Sequence, residues 1–173
     1  DIEKADVIAH SEGAIVATIA ASIFPDQFRS LVLVGPGGMV GKETLADVVS
    51  ESLRNVMGFL KRIAVDQEAR RHLLTSAKET IKFVLKNPSR AIVELAEARL
   101  KSDISEMLKG LHNQGIKIAI IHGVNDAALP VEKMQSIAKQ DQIDGLYSVK
   151  GDHSEIFAQA GKYTALADEA LTA

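Results

Sequence analysis

Apolar positions run through this chain in two rhythms. Residues 5–10 (Ala-Asp-Val-Ile-Ala-His) form a short apolar run that predicts a strand. After Ser11-Glu12-Gly13, the small and apolar residues at 14–23 predict a helix, stopped by Pro25. The β-branched and leucine run at 30–34 predicts a second strand, closed by Gly35-Pro36-Gly37-Gly38. Strands that are apolar on both faces belong to parallel sheets covered by helices. From 44 to 112 the rhythm changes to steps of three and four, with no strand candidate. Leu45, Val48, Val49, Leu53, Val56, Met57, Leu60 and Ile63 mark one amphipathic helix. Leu73, Leu74, Ala77, Ile81 and Val84 mark a second, with Arg70, Arg71, Lys78 and Lys82 on its solvated face. Asn87-Pro88 caps a third, and Ser102 or Asp103 caps a fourth through Met107, Leu108 and Leu111. The α/β rhythm then returns: a β-branched strand at 116–121, a helix at 130–139, a strand at 146–149 and a closing helix at 154–171. The predicted organisation is two α/β pieces, 1–41 and 113–173, separated by a four-helix insertion over 42–112.

Composition narrows the function classes. Twenty basic and 23 acidic side chains leave a net charge of −3, without the basic surplus that binding a nucleic acid requires. The chain has no cysteine, which excludes disulfide scaffolds, cysteine-ligated zinc and thiol catalysis together. No apolar run reaches the roughly 20 residues that span a bilayer, and no basic segment precedes an apolar one as in a secretory signal. These features predict a cytoplasmic protein. The 173 residues suit one domain, and they begin at Asp1 rather than Met, as a processed chain or a piece of a longer one would.

Three residues carry the candidate chemistry. Ser11 lies between a strand end and a helix start, in Ala9-His10-Ser11-Glu12-Gly13. A turn that sharp calls for small neighbours two positions to either side, and Ala9 and Gly13 meet that need. The pattern departs from Gly-x-Ser-x-Gly at its first glycine. Ser11 has a second reading, as the cap of the following helix. Asp126 follows the 116–121 strand, in Gly123-Val124-Asn125-Asp126, and His153 follows the last strand, in Gly151-Asp152-His153. All three lie past the C-terminal ends of predicted parallel strands, the edge where ligands and reactive groups gather in open α/β sheets. Asp152 and Glu43 are rival acids. His10 reads as a packed or hydrogen-bonded neighbour of the turn, His122 as structural, and His72 and His112 as surface residues of the insertion. No histidine–carboxylate cluster has metal spacing, so neither a metal nor another cofactor is expected.

Taken together, the elbow His10-Ser11-Glu12-Gly13, the Gly-Pro-Gly-Gly loop, the helical insertion, Ile121-His122-Gly123 leading to Asp126, and Gly151-Asp152-His153 resemble the C-terminal part of an α/β-hydrolase. The resemblance implies that the four strands are the fifth to eighth of an eight-stranded sheet. The first four strands would then be missing, together with the loop that gives the second oxyanion donor. It implies a nucleophile at Ser11, a general base at His153, an orienting acid at Asp126 and one oxyanion donor at the Glu12 backbone N–H. The Glu12 carboxylate is expected to point away, along the start of the helix. The implied activity is that of a serine hydrolase on a small or medium acyl substrate, an ester in the first instance. Carbon–carbon hydrolysis, perhydrolysis and a non-catalytic ligand-binding receptor of the same fold are the alternatives. The isolated chain is expected to be an inactive fragment. Substrate-binding residues and oligomeric state have no signal in the sequence.

Overall fold

The computed structural model describes residues 2–39, 103–126, 143–153 and 155–172, with isolated positions between them (57, 70, 74, 78, 82, 85–87, 90 and 134–135). Four strands, β1 (Ala5–His10), β2 (Phe28–Val34), β3 (Lys117–Gly123) and β4 (Gly145–Val149), form one sheet in the order β1-β2-β3-β4. Every neighbouring pair is parallel, with His10 beside Val34, Val34 beside Ile121, and Gly123 beside Val149. The C-terminal ends of all four strands therefore lie along one edge.

Strand alternation explains why β2 and β3 read as continuous apolar runs. Leu31, Leu33, Ile118 and Ile120 point to one face, and Val32, Val34, Ala119 and Ile121 to the other. Helices α1 (Glu12–Ile23) and α2 (Ser105–Asn113) cover the first face through Ala14, Ile15, Ala17, Ala21, Leu108 and Leu111. Helix α2 is the fourth helix expected of the insertion, and it packs on the sheet and on α1. The sequence expectation of a closing helix at 154–171 resolves into α3 (Glu155–Ala158) and α4 (Ala160–Thr172). The Gln159 N–H donates to the Glu155 carbonyl, and the Gln159 carbonyl accepts from Lys162 and Tyr163, so the break between the two helices is one residue wide. Tyr163, Ala167 and Ala170, spaced four and three apart, lay α4 on the second face.

β1 departs from the doubly buried pattern. It pairs with β2 alone among the described residues, and Ile8 is 50% exposed. Val16, Ile19 and Ile23 of α1 are exposed as well. The first three helices expected of the insertion, the 130–139 helix and Glu43 lie outside the described residues apart from the isolated helical positions. Of these, Met57 and Leu74 are exposed, although the pattern places both on apolar faces. No helix among the described residues is long and apolar enough to cross a membrane.

Candidate active site

The turn from β1 into α1 places Ser11 in a conformation that L-residues seldom adopt, φ 55° and ψ −121°. Such backbone strain, of order 1–3 kcal/mol, persists only where surrounding contacts overdetermine it. Here they do: the Ser11 N–H donates to the Val34 carbonyl (3.0 Å), and its own carbonyl accepts from Ala14 (3.1 Å) and Gly37 (3.0 Å). Ser11 occupies the N-cap position of α1, yet its hydroxyl makes no capping bond. It lies instead 2.9 Å from His153 Nε2. That removes the capping reading from Ser11 in this conformation.

His153 reaches Ser11 from the loop after β4, and its Nδ1 lies 2.8 Å from Asp126 Oδ2. A carboxylate can only accept, so Nδ1 carries the proton and Nε2 is left to accept from the Ser11 hydroxyl. Asp126 ends a turn closed by its own N–H on the Gly123 carbonyl (2.9 Å). Its side chain is 1% exposed and that of His153 is 20% exposed, so the carboxylate is sealed while the imidazole faces the sheet edge. The loops after β3 and β4 are laced together by Val124 N–H to Val149 O (2.9 Å) and Asn125 N–H to Gly151 O (3.0 Å). They meet closely enough that a Cβ on Gly123 would stand 2.7 Å from the Gly151 carbonyl oxygen.

The tight spot near the elbow differs from the sequence expectation. Among the described residues, a Cβ on Gly13 would meet nothing within 4 Å. Crowding falls on Gly35 instead. There φ is +48°, and a Cβ would stand 3.2 Å from His153 Nδ1 and 3.3 Å from Asp126 Oδ2. Glycines before and after a serine are read from local spacing, whereas Gly35 is crowded by residues nearly a hundred or more positions away. The Gly-Pro-Gly-Gly loop was the available signal.

Glu12 opens α1 with an exposed side chain. Its N–H belongs to the first turn, whose donors have no intrahelical acceptor. Asp152 adjoins His153 in sequence, but the imidazole nitrogens are engaged by Asp126 and Ser11. His122 is fully buried in β3. His112 pairs with Asp144 (3.3 Å) at the end of α2, and His72 lies outside the described residues. His10 is bonded to the His153 main chain: its Nε2 lies 3.0 Å from the His153 carbonyl oxygen. Burial, and then the neighbouring His153, hold the His10 imidazole below the ordinary histidine range. Among the described residues, no group of three or more His, Cys, Asp or Glu side chains could hold a metal ion.

Solved structures of the same architecture place this sheet edge in context. An alpha/beta hydrolase from the metagenome of lagoon sediments at Mar Chica, Morocco, matches 97% of this chain with a TM-score of 0.55 and 18% identity. The chain has the α/β-hydrolase fold. A meta-cleavage product hydrolase from Pseudomonas fluorescens matches 99% of it (TM-score 0.62, 18% identity), and a thermophilic esterase from Thermogutta terrifontis matches 98% (TM-score 0.56, 16% identity). The chain spans 61%, 65% and 65% of the length of these three proteins. No protein-family model and no curated protein sequence matches it. The parallel order β1-β2-β3-β4 agrees with four consecutive strands of this fold, as the resemblance in the sequence implied.

Proposed function

We propose that this chain carries the reacting groups of a serine hydrolase that acts on an acyl substrate, a carboxylic ester in the first instance. The observation that carries the reading is the hydrogen-bonded series from Ser11 Oγ through His153 to Asp126, at 2.9 and 2.8 Å. Ser11 Oγ attacks the acyl carbon while His153 Nε2 takes its proton. Asp126 keeps the imidazole in the required tautomer and stabilises its charged form. The carbonyl oxygen becomes an oxyanion facing the Glu12 N–H. Collapse of the tetrahedral intermediate expels the alcohol, protonated by His153, and leaves an acyl group on Ser11. The same imidazole then draws a proton from water, which releases the acid and restores the serine. The strained, uncapped geometry of Ser11 supports this reading over a structural serine, because the chain spends conformational energy to present the hydroxyl. The proposed partner is a small-molecule acyl substrate met in the cytoplasm.

Fluorophosphonate labelling of the full-length protein tests the reading. The probe is expected to attach at Ser11, and Ser11→Ala is expected to abolish both labelling and p-nitrophenyl ester turnover with little change in thermal midpoint. Unchanged turnover in Ser11→Ala would exclude Ser11 as the nucleophile. Absent labelling in a folded full-length protein would favour a ligand-binding receptor.

A further inference from the structure

His153 has a long way to reach. It lies four residues beyond Val149, at the end of β4, while Ser11 follows β1 at the other side of the described sheet. Three inter-strand spacings separate those strands, about 14 Å at roughly 4.8 Å each. The near end of the loop is held by the Val124–Val149 and Asn125–Gly151 bonds to the turn after β3. Those bonds stop at residue 151. The main chain of residue 153 itself is bonded over the elbow by a side chain from β1.

The geometry points to His10 as a positioning residue that clamps the His153 main chain beside Ser11. Its Nε2 donates to the His153 carbonyl oxygen at 3.0 Å. Its ring stands 5.0 Å from the His153 ring, tilted by 39°, and meets Phe157 of α3 edge-on at 5.2 Å. One imidazole thus touches the loop's backbone, its functional ring and the helix that follows. Because His10 directly precedes Ser11, the clamp ties base and nucleophile to the same strand end. A carbonyl acceptor calls for an N–H at Nε2, which a neutral imidazole supplies. Burial and His153 lower the His10 pKa, which favours the neutral ring and disfavours a second positive charge beside the imidazolium that forms on His153. This inference rests on the hydrolase reading for its catalytic consequence, but the clamp is a statement about His153 whatever the reaction.

The test compares His10→Gln with His10→Met in the full-length protein. The two replacements have similar length and shape, and only glutamine retains an N–H donor near the position of Nε2. Methionine is expected to lower kcat about tenfold, with KM within about twofold of wild type, since misplacing a reacting group by an ångström can cost as much as a hundredfold. Glutamine is expected to restore kcat to within about threefold. Proton NMR of the His153 Nδ1–H, hydrogen-bonded to Asp126, gives a readout independent of turnover: the resonance persists in the glutamine variant and broadens or vanishes in the methionine variant. Equal kcat values and equal resonances in both variants would overturn the clamp while leaving the hydrolase reading intact. If wild type shows no turnover, the resonance alone decides the clamp, and the hydrolase reading fails separately. Should the methionine variant fail to fold, a glutamine variant with wild-type fold but a lost resonance would equally overturn the donor role.

Discussion

Replacing Gly35 by alanine places one methyl group against the bond that orients His153. Gly35 has φ +48°, where an L-residue is disfavoured by about 1–2 kcal/mol. Lower entropy of the unfolded alanine chain offsets roughly half a kcal/mol of this. The net loss is about 1 kcal/mol, or about 2–4 °C in thermal midpoint for a protein of this size. The larger effect is local. The new Cβ would stand 3.2 Å from His153 Nδ1 and 3.3 Å from Asp126 Oδ2, the two atoms joined by the 2.8 Å hydrogen bond. Asp126 is sealed in the interior, so the less buried partner, His153, is the one that moves. A displacement of a few tenths of an ångström at Nδ1 is carried by the rigid ring to Nε2, away from Ser11 Oγ. The expected loss is about 10- to 100-fold in kcat/KM for a p-nitrophenyl ester. Gly110→Ala is the control: it lies within α2, where a Cβ meets nothing within 4 Å among the described residues, and it should stabilise the helix by about 0.5–1 kcal/mol without touching turnover. If Gly35→Ala lowers the thermal midpoint but leaves kcat/KM at the wild-type value, the crowding does not reach the histidine–carboxylate pair and the reasoning fails.

Four further outcomes are expected. Asp126→Asn lowers turnover by about 10⁴ by leaving His153 in the wrong tautomer, whereas Asp152→Asn is mild; the reverse ranking in kcat would reassign the acid. His10 is held below its ordinary pKa of about 6.5, so the unfolded chain binds the extra proton first. His153 and Asp126 are its titratable neighbours. Stability from this group is complete above about pH 6.5 and declines as pH falls towards the folded value, and His10→Gln flattens that decline in urea titrations between pH 7 and 5. Leu33→Ala, at a fully buried site between β2 and the α1–α2 layer, costs about 2–5 kcal/mol in urea unfolding; a loss under 1 kcal/mol would contradict the core assignment. The 173-residue chain expressed alone self-associates, because Ile8 on the β1 edge and Val16, Ile19 and Ile23 on α1 are exposed; a monomer on size-exclusion chromatography would refute this.

The unbroken apolar runs of β2 and β3 made the parallel, doubly covered sheet legible in the sequence. Residues at successive positions of a buried strand must each meet an apolar layer, so an unbroken run implies helices on both faces. Strand ends at His10, Gly123 and Val149 likewise showed which edge Ser11, Asp126 and His153 share. Sequence order could not show which neighbours each would have across that edge. Helix α2 has an amphipathic pattern that says only that one face is buried; packing placed that face on the sheet and α1. Gly13 looked constrained because it lies two residues from Ser11, whereas among the described residues the crowding falls on Gly35, which the fold brings against His153 and Asp126. His10 read as a neighbour of the turn, and the tertiary structure bonded it to a carbonyl 143 residues away. Local periodicity records which residues must leave water. The partner each one finds depends on how far apart the strands that carry them lie, and only the folded sheet sets that distance.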